Sequence, residues 1–365
     1  MNLQPISDIA AWSPVNTCGV KEPDEGVLER LAEGPCLRIE TKTEKSGIYG
    51  WQSPLVELEA GDYYRFSFRW RSTCRAFWEA QFPSDSPSAP PDVHTSGMPV
   101  TGYRWEELEY FFRAKHGRRQ ARVLIWPLGR GMMDFMDFAS PSLTRAAKAD
   151  AWAWFSGIMA SVPPIAPNED DRKSLHLVET RGKLRAGRQV TIAVYGDSIG
   201  YDVGNSPIDL ALEDAYPGCR VAVQTRGLAG SGWEKLSKPE LLAERILSLK
   251  PDLLLTLSIS NQPGHVAQYL PVIVDSVREA CGSEFMFLTD HLPADEFGER
   301  YDIVAEETRE VARRKECQLV DTRVELQRYL RVNGLPFEWL LRDRCHFNER
   351  GRAVVLQILM QHLGP

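Results

Sequence analysis

Three residues of this sequence have the types and the spacing that nucleophilic catalysis requires. Ser198 follows a continuous apolar run in AVYGDSIG, and Asp343 and His346 stand three positions apart in DRCHFNERG. A serine hydroxyl becomes a nucleophile when an imidazole accepts its proton, and a carboxylate bonded to the other ring nitrogen fixes the tautomer of that imidazole. The pattern predicts a triad in which Ser198 is the nucleophile, His346 the base and Asp343 the residue that orients the base.

The elements that must position these side chains alternate between strand and helix from residue 189 onward. Continuous apolar runs typical of parallel strands occur in QVTIAVYG, RVAVQTRG, PDLLLTLSIS and EFMFLTD, with CQLVDT as a candidate fifth strand. Helical spacing lies between them in KPELLAERILSL, VAQYLPVIVDSVREA and ERYDIVAEETREVARRK. This alternation predicts an α/β domain with a parallel sheet. Ligands bind at the carboxyl ends of such strands, where residues 196–198, 226–230 and 260–262 are expected to converge.

Four ordered segments of this region resemble the sequence blocks of the SGNH/GDSL hydrolases. They are AVYGDSIG, GLAGSG, the stretch around Asn261 and DRCH, all within residues 189–365. The resemblance implies a three-layer SGNH-like fold and assigns the triad roles to Ser198, His346 and Asp343. It also implies an oxyanion hole made by the backbone N–H groups of Ser198 and Gly230 and by the side chain of Asn261.

Three positions depart from the pattern of this family. Thr225 stands where the second block usually begins with Asn, and Ile259 and Gln262 replace the usual Gly and Asp of the third block. These changes surround the oxyanion positions and leave the triad residues intact. We therefore expect the mechanism to be retained, and the pocket and its substrate to differ from those of relatives.

Residues 1–147 are predicted to be all-β. Apolar and polar positions alternate in SPLVELEAGDYYRFSFRWRS, RWEELEYFFRA and QARVLIWPLG, and MDFMDFASPSL is a candidate closing strand. Short strands joined by turns predict a two-sheet sandwich, and the region is similar, more loosely, to jelly-roll carbohydrate-binding modules. Residues 148–188 are expected to form a helical linker. Five tryptophans either form a sugar-stacking face or belong to the core: Trp51, Trp70, Trp78, Trp105 and Trp126.

Composition excludes several other classes of protein. The chain is 43% hydrophobic and 25% charged with a formal net charge of -7, which indicates a soluble globular protein without a nucleic-acid surface. No apolar run reaches the roughly 18 residues that a membrane span needs, and the N-terminus lacks a signal-peptide pattern, so a cytoplasmic location is expected. Seven cysteines without a C-x-x-C pair indicate buried thiols rather than disulfides or a zinc site. No metal and no organic cofactor is expected, and the oligomeric state stays open.

These observations favour a serine esterase that works through an acyl-enzyme. The resemblance to the hydrolase family implies a small-molecule or glycan ester with a short acyl group as substrate, and the resemblance to carbohydrate-binding modules implies O-acetyl on a carbohydrate. A lipase or thioesterase acting on longer acyl chains is one alternative, and a non-catalytic binding protein on a degenerate fold is another. His265, Asp290 and His291 also follow strand ends. Contact with the substrate is one interpretation of these residues, and solvent-exposed loop positions are the one we expect.

Overall fold

The computed structural model of the chain describes residues 4–16, 36–40, 49–83, 92–114, 120–128, 134–166, 176–257, 265–291 and 299–365. The chain divides into two compact units, Met1–Trp154 and Phe155–Pro365. The division falls inside a helix, Lys148–Ser161. The boundaries predicted at residues 147 and 188 stay predictions.

The N-terminal unit is built from strands. It begins with a short helix, α1 (Gln4–Ser7), and a 3-10 turn, Ile9–Ala11, which both come before the first strand. The strands are β1 (Ser13–Asn16), β2 (Cys36–Glu40), β3 (Tyr49–Gln52), β4 (Val56–Glu57), β5 (Tyr63–Ser72), β6 (Arg75–Phe82), β7 (Asp92–Met98), β8 (Glu106–Arg113), β9 (Gln120–Leu128) and β10 (Phe135–Ala146).

These strands form two antiparallel sheets that share one core. One sheet has the order β1-β3-β9-β6-β7, with β4 also paired to β9, and the other has the order β2-β10-β5-β8. Along β5 the side chains of Phe66 and Phe68 are buried while that of Arg65 is exposed, as the period of two in a strand requires. Phe66 of one sheet packs on Trp78 of the other with ring centroids 5.3 Å apart. The predicted sandwich is confirmed, and its jelly-roll character stays a prediction.

The five tryptophans separate into two groups. Trp51, Trp70 and Trp78 belong to the core of the sandwich, because each is at most 5% exposed. Trp105 and Trp126 are half-buried. The guanidinium groups of two arginines lie 5.0 Å and 4.7 Å from the Trp105 ring, and Trp126 meets a phenylalanine edge-on at 4.7 Å. Core packing thus accounts for the first three tryptophans, and a sugar-stacking role stays a prediction for Trp105 and Trp126.

Strands and helices alternate in the C-terminal unit. The helices from residue 148 onward are α2 (Lys148–Ser161), α3 (Val178–Arg185), α4 (Ser198–Gly204), α5 (Ile208–Ala215), α6 (Trp233–Leu236), α7 (Pro239–Arg245), α8 (Val266–Cys281), α9 (Arg300–Arg314), α10 (Thr322–Asn333) and α11 (Glu349–Leu363), with 3-10 turns at Leu247–Leu249 and Phe337–Leu340. The strands are β11 (Gln189–Gly196), β12 (Arg220–Thr225), β13 (Leu253–Leu257), β14 (Glu284–Leu288) and β15 (Gln318–Val320).

The five strands of this unit form one parallel sheet in the order β12-β11-β13-β14-β15. Every residue of the central strand β13 is buried, because helices cover a parallel sheet on both faces. The predicted α/β fold class is confirmed, as are the five predicted strands. The chain order reverses at β11, which has the second strand on one side and the third on the other. Ligands bind at such a switch point, outside the carboxyl ends of the strands.

Within the described ranges, no helix combines the length and the apolar character that crossing a membrane would require.

Candidate active site

Ser198 lies at the switch point of the sheet, where β11 passes directly into α4. The carboxylate of Asp197 caps this helix by accepting a hydrogen bond from the Ile199 N–H at 2.9 Å, and Asp197 is buried. An N-cap of this kind fixes the start of a helix. The N–H groups of the first helical turn have no acceptor within the helix. The Ser198 N–H therefore points out of the helix start beside its own hydroxyl group.

Two glycines, one at the end of β11 and one in the loop after β12, allow the carboxyl ends of neighbouring strands to lie close together. A Cβ atom on Gly196 would lie 1.7 Å from the Leu257 carbonyl oxygen, and one on Gly227 would lie 2.3 Å from the Gly196 carbonyl oxygen. The Leu228 N–H donates to that same Gly196 oxygen at 2.8 Å. The loop after β12 therefore lies directly against the end of β11, as the parallel arrangement predicts.

The three residues of the predicted triad form a continuous hydrogen-bonded chain. His346 Nε2 lies 2.9 Å from Ser198 Oγ, and His346 Nδ1 lies 2.9 Å from Asp343 Oδ2. The Asp343 carboxylate also accepts the backbone N–H groups of Cys345 at 2.9 Å and of His346 at 2.8 Å. The carboxylate is thus held in place by the turn that carries the imidazole.

Within this hydrogen-bonded triad, Asp343 and His346 shift each other's pKa in opposite directions. Burial alone would raise the pKa of Asp343, but the hydrogen bond and the charge of His346 lower it well below its usual value. Burial alone would lower the pKa of His346, but the hydrogen bond with Asp343, helped by Cys345, raises it above 6.5. Asp343 is therefore an anion at neutral pH, and His346 has a strong affinity for a proton.

An ion pair that the sequence analysis did not identify connects the helix of Ser198 to the loop of His346. Asp202 lies four residues after Ser198 on α4, and its Oδ1 accepts a hydrogen bond from Arg342 Nη1 at 2.6 Å. Its Oδ2 accepts the backbone N–H of Phe347 at 2.9 Å, and Arg342 Nη1 also donates to the Phe347 carbonyl at 2.6 Å. Arg342 and Phe347 flank the segment with Asp343 and His346, so Asp202 holds both of its ends. The available signal was an acidic residue one turn after the serine, within an otherwise apolar helix.

His291 supports the same loop from another strand end. Its side chain is 1% exposed, its Nε2 lies 2.7 Å from the Cys345 carbonyl oxygen, and its ring centroid lies 4.2 Å from that of Phe347. Because a carbonyl only accepts, Nε2 carries the proton. Burial lowers the pKa of His291 to about 4, so the ring is neutral at pH 7.

The expectation of solvent exposure was wrong for two of the three residues that follow the later strands. His291 is buried, and Asp290 is also buried and forms an ion pair with Arg323 at 2.9 Å. Only His265 remains near solvent, with a side chain that is 37% exposed. The strand-end position indicated a loop, but it did not reveal that this loop lies under the His346 segment.

Of the two predicted oxyanion residues outside the triad, the structure describes Gly230 but not Asn261. Gly230 has a φ of +67°, a left-handed conformation that favours glycine, and its N–H bonds to no acceptor within the described parts of the chain. The loop before Gly230 is fixed by Tyr201 and Arg245, which both donate to the Gly227 carbonyl, at 2.9 Å and 2.8 Å. Asn261 lies in 258–264, outside the described residues.

No protein-family model matches the chain, and no curated protein matches it either. Solved structures do match. A GDSL-like lipase from Parabacteroides merdae is 15% identical, with 48% of this chain and 95% of that chain covered and a TM-score of 0.39. A catalytic mutant of an acetylxylan esterase from Geobacillus stearothermophilus is 17% identical, with 48% and 94% covered and a TM-score of 0.40. A two-domain esterase active on acetylated mannans is 16% identical, with 51% and 52% covered and a TM-score of 0.44.

The chain is similar to GDSL-type hydrolases over 48% of its length. One of the three matched structures, the GDSL-like lipase, carries the name of the family that the motifs resemble. With identities under 20% and TM-scores under 0.5, these matches give no residue a role and the chain no activity. The roles proposed below depend on the distances within this chain.

Proposed function

We propose that the chain is a serine esterase that hydrolyses a short acyl ester through an acyl-enzyme intermediate. The observation that carries the proposal is the hydrogen-bonded chain from Ser198 Oγ through both ring nitrogens of His346 to the carboxylate of Asp343. In this arrangement the base accepts the hydroxyl proton and the carboxylate orients the base, which activates a serine nucleophile. Both hydrogen bonds of the triad are 2.9 Å long.

The reaction would proceed in two steps with the same base. His346 Nε2 accepts the Ser198 proton as Oγ bonds to the ester carbonyl carbon, and it then returns a proton to the departing alcohol. Water next attacks the acyl-enzyme, with His346 again accepting a proton, and the acid leaves as Ser198 regains its hydrogen. The charge of each tetrahedral intermediate would be stabilised by the Ser198 and Gly230 N–H groups and by the side chain of Asn261.

The proposed substrate is an O-acetyl group on a carbohydrate. Two features support this choice: the N-terminal sandwich resembles carbohydrate-binding modules, and Trp105 and Trp126 are half-buried on it. Aromatic rings that keep one part near the surface offer a flat apolar area to a sugar ring. The triad itself acts on any accessible ester, so the substrate is tested separately from the chemistry.

The deciding experiment measures acetate release from acetylated xylan and mannan oligosaccharides, and turnover of nitrophenyl esters of increasing chain length. Ser198→Ala, His346→Ala and the double variant are compared with wild type and with Ser248→Ala, a change at an exposed serine outside the site. Each triad variant should lose at least about 10³-fold in kcat, and the double variant no more than the single ones, because triad members act as a unit.

Other outcomes would favour other functions. Faster turnover of long-chain nitrophenyl esters than of acetyl esters would indicate a lipase or thioesterase. A wild-type protein that neither hydrolyses an ester nor reacts with a serine-directed phosphonate would indicate a binding protein. Losses that add in the double variant, with folds verified by circular dichroism, would contradict the triad.

A further inference from the structure

Cys345 adds a third potential metal ligand to the turn that carries the triad. Its Sγ lies 3.4 Å from His346 Nδ1, the same nitrogen that lies 2.9 Å from Asp343 Oδ2. One ligand atom from each of these three residues lies within 4.8 Å of the other two. The side chains of Asp343 and His346 are 21% and 23% exposed, and Cys345 is also half-buried, so an ion can reach them from solvent. The prediction of buried thiols is confirmed for four described cysteines and was wrong for Cys281 and Cys345, which are half-buried.

The distances suit a tetrahedral Zn²⁺ ion. Bonds of about 2.0 Å to nitrogen and about 2.3 Å to sulfur separate the two ligand atoms by about 3.5 Å in a tetrahedron, close to the observed 3.4 Å. In the same tetrahedron the nitrogen and oxygen ligands are about 3.4 Å apart. In the structure, His346 Nδ1 lies 2.9 Å from Asp343 Oδ2 and 3.1 Å from Asp343 Oδ1. The carboxylate would have to withdraw by only a few tenths of an ångström. A thiolate and a carboxylate together neutralise the two charges of the ion.

We propose that Asp343, Cys345 and His346 bind Zn²⁺, and that the bound ion switches off the ester hydrolysis proposed above, on which this inference rests. In the triad, Nδ1 carries a proton for Asp343, and Nε2 presents a lone pair to Ser198. The metal takes a lone pair on Nδ1, so the imidazole proton moves to Nε2, and the Cys345 thiol releases its proton to solvent. Nε2 then donates a hydrogen bond to Ser198 and no longer accepts the serine proton.

The binding test uses Co²⁺ as the probe, because a cobalt–thiolate bond gives a charge-transfer band in the near ultraviolet. Wild type should develop the band on titration with Co²⁺, and Zn²⁺, which binds nitrogen and sulfur sites more tightly, should remove it. Cys345→Ala should not develop it. Cys281→Ala is the matched control, since Cys281 is also half-buried but belongs to no three-ligand group in the part of the chain that the structure describes.

The activity test measures hydrolysis of nitrophenyl acetate with Zn²⁺, with Mg²⁺, and with Zn²⁺ followed by a chelator. Saturating Zn²⁺ should lower wild-type turnover by about 10²-fold or more, the usual contribution of a general base, and the chelator should restore it. Mg²⁺ should have no effect, because it prefers oxygen ligands. Each variant is compared with its own metal-free rate, because the Cys345 side chain contacts His346 Nδ1 and its loss can change that rate. Relative to that rate, Cys345→Ala should resist Zn²⁺.

Three results would overturn the metal site and leave the proposed esterase function untouched. They are a cobalt band that persists in Cys345→Ala, equal inhibition of Cys345→Ala and wild type by Zn²⁺, and an active wild-type esterase that develops no band. A wild-type protein that binds Co²⁺ through Cys345 but hydrolyses no ester would overturn the proposed function and, with it, the switch.

Discussion

Asp202 and Arg342 form a buried ion pair at 2.6 Å between positions 140 residues apart in the chain. Their side chains are 2% and 8% exposed. Because Asp202 lies one helical turn after Ser198, the pair connects the helix that presents the nucleophile to the loop that presents the base. The distance between Ser198 and His346 is therefore set by contacts outside the triad itself.

Replacement of Asp202 by Asn should destabilise the protein and reduce its turnover. The variant keeps the shape of the side chain but leaves the Arg342 charge buried without its partner, which costs about 3–5 kcal/mol of unfolding free energy. Urea denaturation measures this loss, and kcat for an acetyl ester should fall with little change in KM. Arg313→Ala, which removes an exposed ion pair with Glu310, is the control and should leave the denaturation midpoint unchanged. An equally stable and active Asp202→Asn variant would contradict the positioning role.

Activity should rise with pH through a midpoint above 6.5. A base works only when unprotonated, and Asp343 raises the pKa of His346, so the imidazole stays protonated to a higher pH than a free one. In Asp343→Asn the raising interaction is lost and burial remains, so the midpoint should move down while kcat falls by about 10⁴. Profiles of kcat/KM from about pH 5 to 11, corrected for hydroxide, measure both midpoints, since the pKa of His346 is raised to about 10. A wild-type midpoint below that of Asp343→Asn would contradict the pairing.

Stability should decrease as pH falls from 6.5 toward 4, in part because of His291. Its folded pKa of about 4 lies below the unfolded value near 6.5, so the unfolded chain binds a proton in this window that the folded chain does not. The full effect is about 3 kcal/mol, reached at the lower end. His291→Gln keeps a donor for the Cys345 carbonyl and does not titrate, so its urea midpoint should depend less on pH. His176→Gln, at an exposed position, should retain the wild-type dependence.

Alanine at two helical glycines should have opposite effects. A Cβ atom on Gly204 would lie 2.4 Å from Thr225 Oγ1, whereas one on Gly182 would meet no atom within 4 Å. Gly204→Ala should therefore lower the free energy of unfolding by about 1–3 kcal/mol, because the added methyl group overpacks the contact with Thr225. Gly182→Ala should raise the free energy of unfolding by up to about 1 kcal/mol, because alanine favours the helix more than glycine does. Thermal unfolding measures both, and Thr225→Ala combined with Gly204→Ala should recover stability. A neutral Gly204→Ala would mean that α4 can move away from β12 at no cost.

The sequence by itself determined the features that depend on local pattern. Apolar runs separated by helical spacing specify a parallel sheet, because burial on both faces leaves no polar alternation in the strands. The motifs around Ser198 and His346 identified residues that lie 2.9 Å apart although 148 positions separate them.

Only the tertiary structure decided which polar residues support the site. An acidic residue within the apolar helix of Ser198 was the one local signal, and it did not name its partner. Asp202 pairs with Arg342, and His291 bonds to the Cys345 carbonyl, across long separations in sequence. Likewise, a tryptophan in a strand faces the core or the surface according to the register of its sheet, which is set by pairing and not by residue type. A buried charge or ring nitrogen is stable only where folding brings its partner to it, so that partner becomes known with the fold.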